Sequence, residues 1–169
     1  TGLRYDNVRF NSSSIFSPRI GLEFLFSPIT KFNIAFGEYY QSPSYWMLMN
    51  PNNAHPLKHS YTAQAVAGFE HLLAEDTRLT FEIYRKNYYN RPVKQSDISL
   101  DSLDNRLGFI DIGEGYSEGI EVFVQKKFAS KWYGTISYSY SDSKAKDYRI
   151  NQDGYYPWDY DSKSGLTLV

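Results

Sequence analysis

Residues 115–147, GYSEGIEVFVQKKFASKWYGTISYSYSDSKAKD, decide the fold class that this sequence predicts. They contain two runs of alternating apolar and polar residues, which flank a short polar turn at 129–131. Because successive side chains of a β-strand point to opposite faces, each run predicts a strand with one apolar and one polar face. The apolar faces carry the following residues: Ile120, Val122 and Val124 in the first run, and Trp132, Ile136, Tyr138 and Tyr140 in the second.

The length and polarity of these strands favour a hairpin that spans a membrane. Each run covers about 10 to 13 residues, whereas soluble strands usually have about 5–6 and a tilted strand crosses a bilayer with about 9–11. The second face carries Ser, Thr, Gln and Glu, which is typical of a barrel with a wet interior. A hairpin from a soluble sandwich, with its apolar face turned into a core, is the alternative that this stretch leaves open.

Composition excludes several other classes of protein. The 169 residues carry a net charge of −1 and no cysteine, so disulfides and thiolate metal sites are excluded and no nucleic-acid partner is implied. Aromatic residues make up 18% of the chain, and 16 of them are Tyr, a side chain suited to the boundary between oil and water. The sequence opens and stops inside apparent strands, so we expect it to be a piece of a longer protein.

The rest of the chain repeats the alternating pattern, and its connections alternate in length. We predict further strands at 17–26, 32–41, 61–73 and 78–91, and a last one beginning near Gly165. Short turns at 27–31, 74–77 and 129–131 alternate with long loops at 43–60, 94–115 and 144–163, and the loop at 7–16 is intermediate. In a meander, alternate connections lie at the same end of the sheet, which matches the short periplasmic turns and long extracellular loops of outer-membrane barrels.

One position does not fit this scheme. If the 78–91 strand keeps its alternation, Arg85 and Asn87 face lipid together with Ile83. A lipid-facing Arg costs about 2–4 kcal/mol at the bilayer midplane and about 0–1 kcal/mol near an interface. Two explanations remain open: the strand leaves the membrane by Arg85, or a β-bulge resets the alternation.

Motifs along the whole chain resemble those of the TonB-dependent outer-membrane receptors. The segments that carry the resemblance are 17–22 (SPRIGL), 36–44 (FGEYYQSPS), 50–70 with its NP, LK and GFE elements, 115–121 (GYSEGIE), 137–141 (SYSYS) and 156–161 (YPWDYD). The chain departs from the family pattern at His59 and Ala65, where acidic or larger residues are common. The resemblance implies an all-β, antiparallel up-and-down transmembrane β-barrel segment, about eight strands of a larger, roughly 22-stranded barrel.

The same resemblance implies the setting of the chain. Residues 1–169 would be a partial barrel, embedded in the lipid of a Gram-negative outer membrane. The plug domain, which engages TonB, and the remaining strands would lie elsewhere in the parent protein. That protein would take up a scarce nutrient such as a siderophore, cobalamin or a glycan. A small eight-stranded anchor or adhesin barrel and a soluble β-rich binding module are the alternatives.

Aromatic residues near the predicted long loops are the best candidates for contact with a ligand. The candidates are Tyr39, Tyr40, Tyr45, Trp46, Tyr155, Tyr156 and Trp158. Their rings offer stacking and apolar area, although a girdle of aromatic residues at the membrane interface is the simpler explanation of them.

Two groups of possible metal ligands have simpler explanations. His55 and His59 have a spacing that can bind a metal on a helix, but Pro56 disfavours a helix between them. The aspartates near the third loop favour turns and solvated ends over a calcium site: Asp142, Asp147, Asp153, Asp159 and Asp161. No nucleophile–base pair or phosphate-binding glycine loop is apparent, so we predict no enzyme, no cofactor and no resident metal.

Overall fold

The computed structural model describes residues 1–8, 13–53, 55–95, 108–128, 131–146, 154–159 and 161–169. They form a single antiparallel sheet of strands and one helical turn. The elements are β1 (Gly2–Val8), β2 (Ser13–Ser27), β3 (Thr30–Gln41), α1 (Tyr45–Leu48), β4 (Ser60–Ala74), β5 (Thr77–Lys94), β6 (Phe109–Lys126), β7 (Gly134–Lys146), β8 (Tyr155–Pro157) and β9 (Ser164–Leu168). Strand order follows the chain from β1 to β8, and this confirms the predicted all-β, up-and-down architecture.

The last two strands share one position in the sheet. β8 pairs with residues 144–146 of β7, and β9 pairs with residues 136–140 of the same strand. Both partners lie on the side of β7 that β6 does not occupy, so they act as one strand in two pieces. The sheet therefore has about eight strand positions, as predicted from the sequence.

The register places the apolar residues of neighbouring strands side by side. Residues that pair directly share a face, and Ile20 pairs with Phe36, which in turn pairs with Ala65. We call this the outward face; the inward face carries Arg19, Gly37 and Gln64, which also pair in sequence across the sheet. The predicted alternation is thus continuous across the sheet.

The outward face is not covered by protein. Among the described residues, the buried hydrophobic side chains are only Ile15, Leu57 and Phe109, and all three lie toward the long-loop end of the sheet. In the middle of the outward face, Leu22 is 49% exposed and Phe36 is 54% exposed. Because so few hydrophobic side chains of the described residues are buried, an exposed apolar surface of this size is typical of a sheet whose outward face meets an apolar environment.

Two rows of aromatic rings cross the outward face. Toward the long loops, Tyr61 stacks on Tyr40 and Tyr89 with ring centroids 5.3 and 4.7 Å apart. Nearer the short turns, Phe69 lies between Phe32 and Phe81 at 6.1 and 5.9 Å, and the apolar pair Leu79 and Val124 continues the band beyond this row. The tyrosine row resembles the aromatic girdle at one edge of the lipid-facing band of an outer-membrane barrel.

No helix among the described residues is long and apolar enough to cross a membrane.

The connections follow the predicted order, with several corrections. Turns at 28–29 and 75–76 lie at one end, and the central residues of the predicted turn at 129–131 lie outside the described part. The second long loop is shorter than predicted, because β5 continues to Lys94 and β6 already begins at Phe109. The loop predicted at 7–16 shrinks to the interval between Val8 and Ser13. The first long loop contains the helical turn α1 and the third contains β8, neither of which we predicted.

Arg85 lies on the outward face without a local bulge. The pairing of β4 with β5 is continuous through this position, where Arg85 pairs with Ala65, and the pairing with β6 continues to Glu118. A bulge at Arg85 is therefore excluded. The register instead shifts between Tyr88 and Arg91, beyond the part of β5 that pairs regularly with β6.

Candidate ligand-binding site

A cavity of about 380 Å³ lies at the long-loop end of the sheet and brings together segments of the first and third long loops and the ends of β5, β6 and β7. Its walls include three of the seven candidate aromatic residues, namely Trp46, Tyr156 and Trp158. Phe109, the first residue of β6, adds a further ring and contacts Trp46 edge to face at 5.2 Å. Because these residues come from α1, β8, the segment after β8 and β6, the cavity depends on how the loops fold over the rim.

The β-bulge in β5 brings Arg91 into this cavity. Asn90 has a φ of 54°, a left-handed conformation that Asn tolerates better than most residues. After the bulge Arg91 pairs with Gly113, whereas unbroken alternation would place Arg91 on the outward face with Arg85 and Asn87. A Cβ atom on Gly113 would lie 2.6 Å from the Arg91 carbonyl oxygen, so the approach of the two strands requires glycine there.

The Arg91 guanidinium is prepared for a further interaction. It lies over the ring of Tyr88 at 5.2 Å, a cation–π distance. Its Nε–H is buried and finds no hydrogen-bond acceptor among the described residues. A buried donor without a partner costs about 1–3 kcal/mol, so an acceptor from a ligand or from another part of the protein would stabilise this arrangement.

Cationic side chains outnumber acidic ones around the cavity. Arg91, Lys94 and Lys146 line it together with a single carboxylate, Glu114. Lys146 Nζ approaches Glu114 Oε2 at 3.4 Å, which offsets one of the three positive charges. The remaining balance favours a ligand that carries negative charge beside an apolar or aromatic surface.

The first long loop is fixed to the rim by side-chain hydrogen bonds. Asn53 Nδ2 donates to the Met47 carbonyl at 2.7 Å, and Asn53 Oδ1 accepts the Phe109 N–H at 2.8 Å. The buried carboxylate of Asp111 accepts the Lys58 N–H at 2.8 Å. These contacts tie α1 and the end of the loop to the beginning of β6, and so they hold Trp46 against Phe109.

The four other candidate aromatics lie outside the cavity. Tyr40 and Tyr155 are on the outward face, where Tyr40 stacks on Tyr61 and Tyr155 contacts Tyr116 at 5.5 Å. These two fit the girdle interpretation rather than ligand contact. Tyr39 is on the inward face, with the Arg19 guanidinium 4.4 Å above its ring. Tyr45 belongs to α1 and is 70% exposed.

The two histidines of the first loop have separate partners. His55 Nε2 lies 3.4 Å from Asp111 Oδ1, whereas His59 contacts Ser13 through Nε2 and Ser42 through Nδ1, the latter at 2.9 Å. Burial lowers the pKa of the His59 imidazole, so the neutral ring is favoured. In the described part of the chain, no three His, Asp or Glu side chains converge on a possible metal position.

The aspartates near the third loop fall into two groups. Asp142 forms ion pairs with Lys144 and Lys163, both at 2.8 Å, and Asp161 accepts the Ser143 N–H at 3.1 Å. Asp159 is exposed, and Asp147 and Asp153 lie outside the described residues. The two ion pairs of Asp142 leave this carboxylate poorly suited to bind a cation.

Sequence reasoning missed Phe109 and Arg91 as parts of the cavity. Phe109 falls within a segment that we predicted as loop, and Arg91 falls at the end of a strand whose alternation points it outward. The Asn90-Arg91-Pro92 sequence held a signal for the bulge, since Asn tolerates the left-handed conformation and Pro cannot donate to a sheet.

Comparisons with known proteins agree with this architecture. The crystal structure of the ferric-catecholate import receptor Fiu from E. coli K12 matches with a TM-score of 0.71 and 17% sequence identity, and the match covers 93% of this chain and 22% of that one. The structure of the FpvAI–pyocin S2 complex matches with a TM-score of 0.71 and 10% sequence identity, and the match covers 92% of this chain and 20% of that one. The FrpB iron transporter from Neisseria meningitidis matches with a TM-score of 0.65 and 14% sequence identity, and the match covers 83% of this chain and 21% of that one. The chain thus spans about a fifth of the length of these structures, and the low identities establish similarity of fold alone.

No curated protein sequence matches the chain. A family model does: the one described as TonB dependent receptor-like, beta-barrel matches residues 1–166. This match covers nearly the whole sequence and agrees with the order of strands, the alternation of faces and the long-loop rim described above. The chain belongs to the TonB-dependent receptor-like β-barrel family.

Proposed function

We propose that this chain is part of the barrel wall and extracellular rim of an outer-membrane receptor that takes up a scarce nutrient. The cavity of about 380 Å³ between the long loops is the observation that carries the proposal. It combines aromatic walls with three cationic side chains and a buried Arg91 Nε–H that has no hydrogen-bond acceptor among the described residues. The role is to bind and admit a ligand such as a siderophore, cobalamin or a glycan, without catalysis.

Similar folds support the kind of cargo. Fiu is a ferric-catecholate import receptor and FrpB is an iron transporter, and each shares the fold of this chain. Among the three ligand classes, an anionic chelate fits best with the cationic lining of the cavity. The ligand would enter from the exterior, because the cavity lies at the end with the long loops.

The inward face supports a second part of the proposal, that a plug domain fills the barrel. Glu82 and Glu121 pair directly across β5 and β6 on this face, and no cation of the described residues forms an ion pair with either. Like charges directly opposite each other are destabilising. A basic group of the plug, placed between the two carboxylates, would remove this repulsion. The plug would also carry the segment that engages TonB.

Fluorescence titration of the full-length receptor tests the binding site. Three probes represent the classes: a ferric catecholate chelate, cyanocobalamin and a maltooligosaccharide. We expect the ferric chelate to bind, and the Trp46→Ala and Trp158→Ala variants to bind it roughly tenfold or more weakly, because each removes a wall of the cavity. Trp132→Ala is the matched control, since Trp132 lies at the opposite end of the sheet, with Lys126 Nζ 5.0 Å from its ring. Binding that is equal in all three variants would disprove the site.

A further inference from the structure

The last strand position of the sheet is interrupted by an insertion. β8 pairs with β7 down to residue 144 and β9 pairs with it up to residue 140, so three residues of β7, 141–143, lie between the two pairings. Six residues, 158–163, connect β8 with β9. Residues of a regular antiparallel ladder pair one to one, so this connection has three residues more than a continuous strand would need.

A side chain takes the place of a backbone acceptor at this interruption. In a continuous ladder the Ser143 N–H would donate to a carbonyl of the neighbouring strand; here it donates to Asp161 Oδ1 at 3.1 Å. The Trp158 N–H donates to the Ser143 carbonyl at 3.0 Å, and the Ser141 N–H donates to the Lys163 carbonyl at 3.0 Å. The N–H groups of Ser141 and Ser143 therefore both keep an acceptor, although the neighbouring segment turns away from β7 between them.

The Asp161 carboxylate is held at both of its oxygens. Its side chain is only 4% exposed, and Oδ2 lies 3.8 Å from Lys163 Nζ while Oδ1 accepts the Ser143 N–H. The Asp161 N–H donates to the Trp158 carbonyl at 2.9 Å and so closes the turn between these two residues. A buried carboxylate with such partners fixes the segment that carries it. Asp161 thereby fastens the turn to β7 and determines where Trp158 lies.

The turn carries Trp158 into the cavity between the long loops, which we call the rim cavity. The Trp158 ring contacts the Tyr88 ring edge to face at 5.2 Å. Tyr88 lies on the inward face of β5, where it pairs with Gly115. The Arg91 guanidinium lies over the same Tyr88 ring, also at 5.2 Å. Because Trp158 and Arg91 both line the rim cavity, Tyr88 supports an indole and a cation that meet the same ligand.

An aromatic wall and a cation in one cavity favour a ligand group that is planar and anionic. A phenolate or catecholate ring can pack against Trp158 and offer an oxygen to the Arg91 Nε–H, which is buried without an acceptor among the described residues. An aliphatic anion such as citrate can satisfy Arg91 but gains little from Trp158. Discrimination between ring-bearing and aliphatic anions therefore depends on the position of Trp158.

We propose that the insertion between β8 and β9 is a specificity device of the rim cavity, in which Asp161 is the positioning residue for Trp158 and thereby selects anions that carry an aromatic ring. The choice of ligand rests on the proposed function, because the rim cavity must bind an anionic nutrient. The placement of Trp158 by Asp161 does not depend on the nutrient and is measurable without a ligand.

The first experiment observes Trp158 by fluorine NMR in the ligand-free, full-length receptor labelled with fluorotryptophan. The resonance that disappears in Trp158→Phe belongs to Trp158. We expect Asp161→Ala to shift or broaden this resonance, because Trp158 loses its fixed contact with the Tyr88 ring. Asp161→Asn should leave the resonance in place, since an amide oxygen still accepts the Ser143 N–H. Asp159→Ala is the matched control, because Asp159 is an exposed residue of the same turn.

The second experiment titrates the full-length receptor with two ferric chelates, a catecholate and citrate. We expect Asp161→Ala to bind the ferric catecholate roughly ten- to a hundredfold more weakly, as for the loss of a hydrogen bond to a charged group, and to leave binding of ferric citrate unchanged. Asp161→Asn should restore binding of the catecholate. Heat-modifiable electrophoretic mobility verifies that each variant is folded.

Tyr88→Leu tests the same contact from β5 and leaves the insertion intact, so it remains decisive if Asp161→Ala does not fold. We expect it to shift the Trp158 resonance and to weaken binding of the catecholate but not of citrate. Unchanged catecholate binding in Tyr88→Leu would overturn the proposal.

The outcomes separate this proposal from the proposed function. An unshifted Trp158 resonance in Asp161→Ala, an equal loss of both chelates, or an Asp161→Asn variant as impaired as Asp161→Ala would each overturn the role of Asp161. A receptor that binds neither chelate, but in which the Trp158 resonance responds as expected, would refute the proposed function and support the positioning of Trp158 by Asp161.

Discussion

Replacement of Val122 by Arg tests the assignment of faces at its most sensitive position. Val122 lies on the outward face of β6, where it pairs with Phe81 and Tyr138. Along β6 it is four residues from Glu118 and four from Lys126, the nearest charged residues on the same face. Eight residue steps of about 3.3 Å at a tilt of about 40° give an apolar band about 20 Å high, so Val122 lies close to its middle.

The expected cost follows from this depth. An Arg that faces lipid at the midplane costs about 2–4 kcal/mol, which corresponds to a roughly 30- to 700-fold change in the folding equilibrium. Ser139→Arg is the matched control: Ser139 is at the same height but on the inward face, where it pairs with Glu121. We expect the control to change the free energy of unfolding by no more than about 0.5 kcal/mol.

Urea titration of the full-length receptor, folded into lipid vesicles, measures both values under the same conditions. Gln125→Arg would be a poorer control, because the Gln125 amide oxygen already accepts a hydrogen bond from Arg78 at 3.1 Å. Equal destabilisation by Val122→Arg and Ser139→Arg would refute the conclusion that the two faces meet different environments.

Three further predictions concern the rim and the orientation of the sheet. Asp111→Ala removes the buried acceptor of the Lys58 N–H, so we expect hydrogen exchange at that amide to accelerate roughly ten- to a hundredfold, whereas Asp159→Ala, at an exposed position, leaves it unchanged. Burial lowers the pKa of His59 below its ordinary 6.5, so the unfolded loop binds more protons than the folded loop. The protection of the loop from protease should therefore decline as the pH falls from about 6.5 toward the folded-state pKa. His59→Gln should remove this pH dependence. An epitope inserted at Asp101 should be accessible to antibody on intact cells and one at Glu75 only after the outer membrane is opened; the reverse pattern would invert the orientation and exclude the rim cavity as an extracellular site.

The regular part of the sheet was predictable because one physical rule governs it. Where lipid lies on one side and water on the other, apolar residues recur at every second position, and the register of residues such as Ile20, Phe36 and Ala65 confirms this pattern, to which Arg85 is an exception on the outward face. The loop lengths predicted the order of the strands, but several strand ends were misplaced: β6 begins at Phe109, inside the predicted loop at 94–115, and β2 begins at Ser13, inside the predicted loop at 7–16.

The rim was less predictable because its residues follow no regular alternation of apolar and polar side chains. The extension of β5 to Lys94 and of β6 back to Phe109 depends on pairing between the two strands, which local sequence does not reveal. Trp46, Tyr156 and Trp158 were recognised as candidates by residue type, but their convergence depends on contacts distant in sequence, such as the Asn53 hydrogen bonds. Tyr40 and Tyr155 could not be separated from them without knowledge of the face on which each lies.

The bulge at Asn90 gives β5 two parts that can change independently. Below it, odd-numbered residues such as Leu79, Phe81 and Ile83 lie on the apolar part of the outward face, so polar substitutions at these positions are costly. Above it, Arg91 is shifted by one residue against β6, a second shift before Val93 restores the original register, and Arg91 and Lys94 line the rim cavity without any change to the membrane-facing surface. A receptor built in this way can acquire a new specificity through substitutions in a few residues at the end of a strand, while the wall below continues to fold and insert as before.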